Sequence, residues 1–465
     1  MESDFRDSGA WNGWPIVAAA LAAFAFTCFI GALFNDGDTY WHLGAGRWIV
    51  DHLAVPHTDP FSFTARGAPW TAHEWLSEVI MFGAFAAASW AGLSLLFAAA
   101  VAGTILLAGL YLKGLIPAPR AVACAIVLFI FLEPSLLARP HALAWPLLAA
   151  WTIVLLRARA RHSAPPFLAA LLILVWANMH ASFIFGLALA GFFGFEALIG
   201  ESDKKRVILG WGAFFLVSVL LALANPSGLQ GLLYPFQVSS MNALPVIQEW
   251  RPSSLSQDPI FFGVTALGVL LAIFSQLRPP ILRLLLIAGL FYLALTHMRH
   301  QAVFGIVSLL VAASSFEPRQ REGRPFSPAI ALIAGAILLT ISAVRLAVPS
   351  VHKEGPAYPS HALAALPPSL ANAPVFNAYN LGGVLIFRGI APFIDGRADM
   401  YGDAFTLNAA RIEKGDMRLF DAAVAKWGIR WTILHPDQAL AGALDRNSSW
   451  RRIYADRYAV IFVHR

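Results

Sequence analysis

The sequence predicts an α-helical polytopic membrane protein of about 11 transmembrane helices, N-terminus inside and C-terminus outside, with a small C-terminal α/β soluble domain. Three observations lead there. Of 465 residues 58% are hydrophobic and 13% charged, with mean hydropathy +0.64, which excludes a soluble enzyme, a disordered chain and an ordinary nucleic-acid-binding domain. Apolar runs of helical length recur between charged or turn-rich breaks. Finally, 23 of the 60 Asp, Glu, Lys and Arg residues fall in the last 118 positions, so the composition changes after the last apolar run and divides the chain into 1–347 and 348–465.

The first run, residues 14 to 34, is uncharged and as long as the about 20 residues that span a hydrocarbon core. The leader MESDFRDSGA is acidic, whereas an export signal has a positive leader and a shorter core, so a retained first helix is expected. Further spans are expected near 91–112, 119–134, 141–156, 166–178, 181–200, 207–224, 260–277, 281–297, 301–316 and 326–347; one contains Pro146. Residues 79–90 read as an interfacial helix or an additional span.

Charge gives the orientation. With the N-terminus inside, Lys113 and Arg120, then Arg157, Arg159 and Arg161, then Lys204, Lys205 and Arg206, then Arg278, then Arg319, Arg321 and Arg324 share the inner face, as the positive-inside rule requires. The formal charge of +6 and pI near 9.5 therefore describe topology, and no nucleic-acid partner is expected. Cys28 and Cys124 lie inside apolar runs, which suits buried thiols better than a disulfide or thiolate metal site.

The outer side receives loops 35–78 and 225–259 and the tail. Strand-like runs are expected at Val375–Ala378, Val384–Phe387, Trp431–His435 and Tyr458–His464, and helix-like stretches at 403–414, 416–427 and 437–445.

Ionisable residues near a bilayer normally have a partner or a task, and here they gather outside. The first loop opens N-D-G-D-T-Y-W-H-L with Asp36, Asp38 and His42, continues P-H-T-D-P-F-S-F-T with Asp59, and ends A-H-E-W-L-S-E with His73, Glu74 and Glu78. Its aromatics Tyr40, Trp41, Trp48, Phe61, Phe63, Trp70 and Trp75 would anchor it at headgroup level. Asp38 and His42 share a helix face if a helix begins at the Asp; the alternative is that Asp36 and Asp38 only cap a turn or helix, with Asp38 or Thr39 as N-cap. Paired carboxylates can serve as a general base or hold a divalent cation. Further turns supply Glu133, Arg139 and His141, then Asn178 and His180, then Glu249 and Arg251, then His297, Arg299 and His300. Arginine suits phosphate because its fork donates two parallel hydrogen bonds; headgroup snorkelling or a structural ion pair is the alternative for each. His42, Asp59, His73, Glu74, Arg139, His141, His180, Arg251, Arg299 and His300 form the candidate donor-phosphate or substrate-binding set. The tail adds F-I-D-G-R-A-D-M-Y-G-D, with Asp395, Arg397, Asp399, Tyr401 and Asp403, as candidate contacts that recognise the acceptor or close the site from above, the alternative being a strand that ends in a turn, and Gly382-Gly383, which permits close backbone approach. No H-E-x-x-H, P-loop, G-x-S-x-G or complete G-x-G-x-x-G occurs, so an activated substrate would arrive anchored in lipid.

D-G-D-T-Y-W-H-L, H-T-D-P-F-S-F-T, H-E-W-L and F-I-D-G-R-A-D-M-Y-G-D, with the architecture, resemble the type C superfamily of polytopic membrane glycosyltransferases, and within or near it a group of poorly characterised bacterial membrane proteins. The resemblance covers nearly the whole chain. It implies transfer of a sugar from a polyprenyl-phosphate carrier to a glycan, lipid or protein acceptor by inverting displacement, at the external face of a bacterial inner membrane. It makes Asp38, with Asp36 beside it, the catalytic centre, and Arg139, Arg299, Arg251 or His300 the partners of the leaving phosphate. A divalent metal, on Asp36 and Asp38, is compatible with it. The tryptophan-rich tail motif of oligosaccharyltransferases is not found, so N-linked peptide glycosylation is not supported. The alternatives are a non-catalytic transporter or scaffold of envelope polysaccharide or glycolipid assembly, and a degenerate transferase retained as a binding partner.

Overall fold

The computed structural model describes residues 13–316, 328–348 and 354–465. The acidic leader, Arg319, Arg321 and Arg324, and the start of the last expected span lie outside the described residues. The bundle is built from α1 (Trp14–Phe29), α2 (Asp38–His52), α3 (Trp75–Lys113), α4 (Ala118–Leu132), α5 (Pro140–Ala160), α6 (Leu171–Met179), α7 (Phe183–Gly200), α8 (Lys204–Ala222), α9 (Leu229–Ser239), α10 (Pro259–Phe274), α11 (Ile281–Thr296), α12 (Gln301–Ala313) and α13 (Pro328–Ala347). Proline stands in the first turn of α1, α4, α5 and α10, where its missing N–H costs no helical hydrogen bond.

Among the described residues six helices are long and apolar enough to cross a bilayer: Trp75–Lys113, Ala118–Ser135, Pro140–Ala160, Phe183–Gly200, Lys204–Ala222 and Pro328–Ala347. The other five expected spans are apolar helices of 10–17 residues. Large apolar side chains such as Leu271, Phe274, Leu285 and Leu339 point outward from α10, α11 and α13, an arrangement suited to a lipid environment and costly in water. Inside the bundle, Trp151 stacks on Phe214 with ring centroids 5.4 Å apart, and Phe97, Ile105, Trp176, Phe193 and Ile306 are sealed from solvent.

Helix α3 joins the expected span 91–112 to residues 79–90. Ala88 (φ −150°) and Ser89 (φ 52°) break it, so it consists of two arms. The arms fold closely enough that a Cβ on Gly92 would meet the Ala84 carbonyl oxygen. The first arm packs on α2, with Gly46 against the Glu78 carbonyl. The second runs antiparallel to α1, pairing Ala98 with Cys28 and Leu112 with Ile16. This fold-back sets the loop-bearing end of the bundle apart from the end that carries Lys113.

At that far end stand Arg120, Arg157, Arg161, Lys205 and Arg278, and part of the positive charge is paired. Arg159 binds Glu196 and Glu201, each at 3.0 Å, and Arg283 binds Glu196 at 2.7 Å and donates to Ser314 Oγ at 2.7 Å.

In the tail, β1 (Val375–Asn377), β2 (Trp431–Leu434), β3 (Trp450–Ala455) and β4 (Val460–His464) form one sheet in the order β1-β2-β4-β3. β1 and β2 are parallel; β2 with β4 and β4 with β3 are antiparallel. Successive β2 residues alternate between two cores: Trp431 and Ile433 join Val375, Leu385 and Ile461, while Leu434 joins Phe376, Phe420 and Phe462. The expected helices are present as Asp403–Glu413, Met417–Trp427 and Ala439–Asp445. One expected strand is overturned. Val384–Phe387 belongs to the helix Gly382–Phe387, because the two glycines let that turn lie directly on neighbouring backbone: a Cβ on Gly382 would meet the Ile394 carbonyl, and one on Gly383 the Gly37 carbonyl.

The tail is locked to the first loop. Arg397 bonds Asp395 through Nε and Nη2, both at 2.7 Å, and Asp59 through Nη1 at 2.8 Å, with all three side chains buried. Its guanidinium also lies over Trp70, 4.8 Å from the ring centroid. Thr64 Oγ1 donates to the Phe393 carbonyl at 2.6 Å. Asp403 accepts from the Asn242 and Ala243 amides, each at 2.9 Å, tying the second loop to the same motif. Removing one member of a buried charge network costs about 3–5 kcal/mol because its partners are left buried and unpaired. Arg397→Ala is therefore expected to lower the melting temperature of the purified protein by several degrees and to open residues 355–465 to limited proteolysis. An unchanged melting curve and cleavage pattern would refute this docking role.

Candidate active site

The loops at this end enclose a cavity of about 730 Å³. Its polar wall carries Asp36, Asp38, His42, His73, Glu74, Glu78, Arg139, His141, His180, Glu249, Arg299, His300, Arg397 and Asp399. Trp41, Trp70, Trp145 and Trp250 form aromatic faces, and Leu148, Ile184, Phe185 and Val303 an apolar side.

Asp38 is the first residue of α2. The N-cap is Gly37 and no side chain caps the helix, so capping by Asp38 or Thr39 is not what the structure shows. Thr39 Oγ1 instead donates to the Ala138 carbonyl at 3.1 Å, which seats α2 against the turn that carries Arg139. Arg139 binds both carboxylate oxygens of Asp36 through Nε and Nη2, and its Nη1 lies 3.0 Å from Asp38 Oδ2 and 2.6 Å from Glu249 Oε2. A second guanidinium, Arg299, approaches Glu249 Oε1 at 3.2 Å and lies over Trp250, 4.3 Å from the ring centroid. Three carboxylates and two arginines thus form one chain of charge.

The carboxylates respond unequally. Glu249 is half-buried, and against its partial desolvation the Arg299 and Arg139 guanidinium groups hold it down to about 2. Burial pushes Asp38 up to about 7 against the pull of Arg139, with Asp36 and Glu249 adding to the rise. Burial similarly raises Asp399 to about 6. Neutral pH is therefore the range in which Asp38 exchanges its proton.

One turn further along α2, on the same face as Asp38, His42 meets a second cluster. Its Nδ1 lies 3.2 Å from Glu78 Oε1 and its Nε2 3.8 Å from Glu74 Oε2. His180 Nε2 and His73 Nε2 approach Glu74 Oε1 at 3.4 and 3.6 Å, and His73 stacks on Tyr234 with ring centroids 3.9 Å apart. Burial holds His42 and His180 well below the usual histidine range, and His73 at about 3. The imidazoles are thus neutral at pH 7 and leave the arginines as the fixed cations of the cavity.

The structure sorts the sequence candidates. Asp36, Asp38, His42, His73, Glu74, Arg139, His141, His180, Arg299 and His300 come together around the cavity, as do Arg397 and Asp399 of the tail. Arg251 does not: its fork is closed on Asp258 at 2.8 and 2.9 Å. Asp59 is fully enclosed by Arg397, Ser62 and the Phe61 amide, and Asp395 by Arg397 and Tyr401, whose hydroxyl donates at 2.7 Å. Asp59 and Asp395 hold the wall from behind and do not line the cavity. As a metal site the Asp36 and Asp38 pair does not fit, because the Arg139 guanidinium occupies the position between their oxygens.

Several lining residues had no distinctive signal. Tyr234 and Tyr379 sit in L-Y-P-F and N-A-Y-N, unremarkable as motifs. Gly396 matters for what it lacks, since a Cβ there would meet Asp38 Oδ1 and Trp41 Nε1.

No protein-family model and no curated protein matches the chain. Solved structures do. The oligosaccharyltransferase AglB from Archaeoglobus fulgidus, in complex with an inhibitory peptide and a dolichol-phosphate, superimposes with a TM-score of 0.60 at 14% identity over 100% of this chain and 75% of that one. ArnT from Cupriavidus metallidurans bound to undecaprenyl phosphate gives 0.55 at 13% identity over 96% and 97%, and its apo state 0.51 at 14% over 96% and 96%. At such identities the likeness shows the fold alone: a multi-pass helical membrane bundle with a small C-terminal sheet domain.

Proposed function

We propose that this chain is a membrane glycosyltransferase that moves a sugar from a polyprenyl-phosphate-linked donor to an acceptor hydroxyl by inverting displacement at the external face of the membrane. The observation that carries the reading is Asp38, a partly exposed carboxyl on the cavity wall that has a single guanidinium contact and is pushed up to about 7. The shared fold with proteins bound to dolichol-phosphate and undecaprenyl phosphate supports it.

The acceptor hydroxyl attacks the anomeric carbon while the bond from that carbon to the phosphate oxygen breaks on the opposite face. The hydroxyl proton passes to Asp38, and the bonding pair leaves with the polyprenyl phosphate. Arg299, with one contact to Glu249, is the cation freest to receive the phosphate charge, and Arg139 adds its field beside it. Asp36 is a positioning residue, fixing the Arg139 fork through both oxygens. The aromatic faces of Trp41, Trp70 and Trp250 suit the flat C–H faces of a sugar ring, and the apolar side suits the first prenyl units.

A positioned general base contributes about 10²–10⁴-fold. Asp38→Asn is accordingly expected to slow transfer from polyprenyl-phosphate sugars by at least about 100-fold while donor binding is kept, measured as release of polyprenyl phosphate by purified protein. Wild-type turnover in that variant would sink the proposed role. The pH dependence has a definite sign. With Asp38 near 7, the carboxyl is protonated and inactive as a base at lower pH, so kcat/KM is expected to rise with pH and level off above about 7. A profile already flat from pH 5 upward contradicts the assignment.

A further inference from the structure

The cluster around His42 has no part in that chemistry and has an unmet electrostatic requirement. Glu74 and Glu78 stand four residues apart at the start of α3, where like charges repel along the helix face. Both are buried, with 8% and 1% exposure, as is His42 with 3%. Among the described residues no arginine or lysine makes an ion pair with either carboxylate; their partners are imidazoles. Moreover, Glu78 belongs to the lining of the cavity, and its buried Oε2 has no hydrogen-bond partner among the described residues. A buried carboxylate oxygen without a partner is expensive, and neither glutamate has a guanidinium or ammonium group in contact with it among the described residues.

We propose that His42, Glu74 and Glu78 form a binding site for one divalent metal ion of the class that takes mixed nitrogen and oxygen ligands, Zn²⁺ or Mn²⁺. Each residue offers one donor atom, and the three donors lie within 4.8 Å of one another. Tetrahedral bonds of about 2.0–2.2 Å to one ion place donors about 3.3–3.6 Å apart, so side-chain rotations that draw the donors together by up to about 1.3 Å close the set. One imidazole nitrogen with two carboxylates is a donor set suited to such an ion, and three protein ligands leave a position open toward the cavity. The ion would supply the charge that the two carboxylates and the orphaned Oε2 lack. The site is separate from Asp36 and Asp38, whose oxygens Arg139 already takes, and it does not depend on the sugar-transfer reading.

The test uses the full chain, without a polyhistidine tag, stripped with chelator and titrated with ZnCl₂ and, separately, MnCl₂. Expected is one equivalent of bound metal, with affinity lowered at least tenfold in Glu78→Gln and His42→Gln and unchanged in Asp38→Asn. Spin-echo spectra of the Mn²⁺-loaded wild type should show coupling to one imidazole nitrogen, a readout that needs no variant to fold. Absence of stoichiometric binding, a carboxylate-only spectrum, or loss of metal in Asp38→Asn with retention in Glu78→Gln each overturns the proposal. Failure of transfer activity with metal still bound would count against the glycosyltransferase reading and leave the metal site standing.

Discussion

The Arg139 guanidinium touches carboxylates from two loops that lie more than 100 residues away in sequence, Asp36 and Asp38 on one side and Glu249 on the other. Each of these acids, buried alone, would cost several kcal/mol. One cation cannot neutralise three anions, and Arg299 brings the ratio only to two against three. The deficit has to appear somewhere. Asp36 holds two charge-assisted hydrogen bonds and Glu249 contacts both arginines, so the remaining proton affinity falls on Asp38, which has a single guanidinium contact. The same geometry that binds the loops together therefore selects which carboxyl titrates near neutrality. Groups in one site whose environments drive their proton affinities apart are the natural division of acid–base labour.

α2 couples this chain of charge to the His42 cluster. One helical turn separates Asp38 from His42, and the two ends meet chemically different neighbours: arginines at the first, imidazoles and glutamates at the second. The rigidity of that turn rests on packing rather than on a cap. Tyr40 and Thr39 are sealed from solvent, and Trp41 nearly so, against the tail helix and the turn before α5. A shift of α2 would move both clusters together, so the registry of the cavity is set by the apolar face of a helix whose polar face does the chemistry.

Sequence periodicity shows what depends on local composition: the apolar runs, the gathering of histidines and acids in the loops of one end, and the three longer tail helices all have short-range signals. What it could not show depends on partners distant in sequence. Val384–Phe387 has β-branched and apolar character but folds as a helical turn because Gly382 and Gly383 admit backbone contacts from Ile394 and Gly37. β3, W-R-R-I-Y-A, is an edge strand whose charged residues disguise it, a common protection of open edges. Arg251 looked like Arg139 and Arg299 in sequence; only the fold reveals that Asp258, seven residues on, takes its fork. Asp59 was placed among substrate-binding groups because its loop is acidic, and its true partner, Arg397, lies 338 residues away. The pairing of Glu196 with Arg159 and Arg283 at the far end was equally invisible.

The tail completes what the bundle begins. Asp36, Asp38, Arg139, Glu249 and Arg299 all belong to the bundle and its loops, yet alone they would line an open, hydrated groove in which each charge interacts at high dielectric. Gly396, Arg397, Asp399 and Tyr379 close that groove over Asp38. Gly396 achieves this because it has no Cβ to strike the Asp38 oxygen. Covering a charged groove excludes water and strengthens every interaction within it, and it raises the proton affinity of a carboxyl that has too few cations. The acid that titrates near 7 is thus a property of the closed joint between two parts of the chain, and a bundle without its tail would hold the same residues with different chemistry.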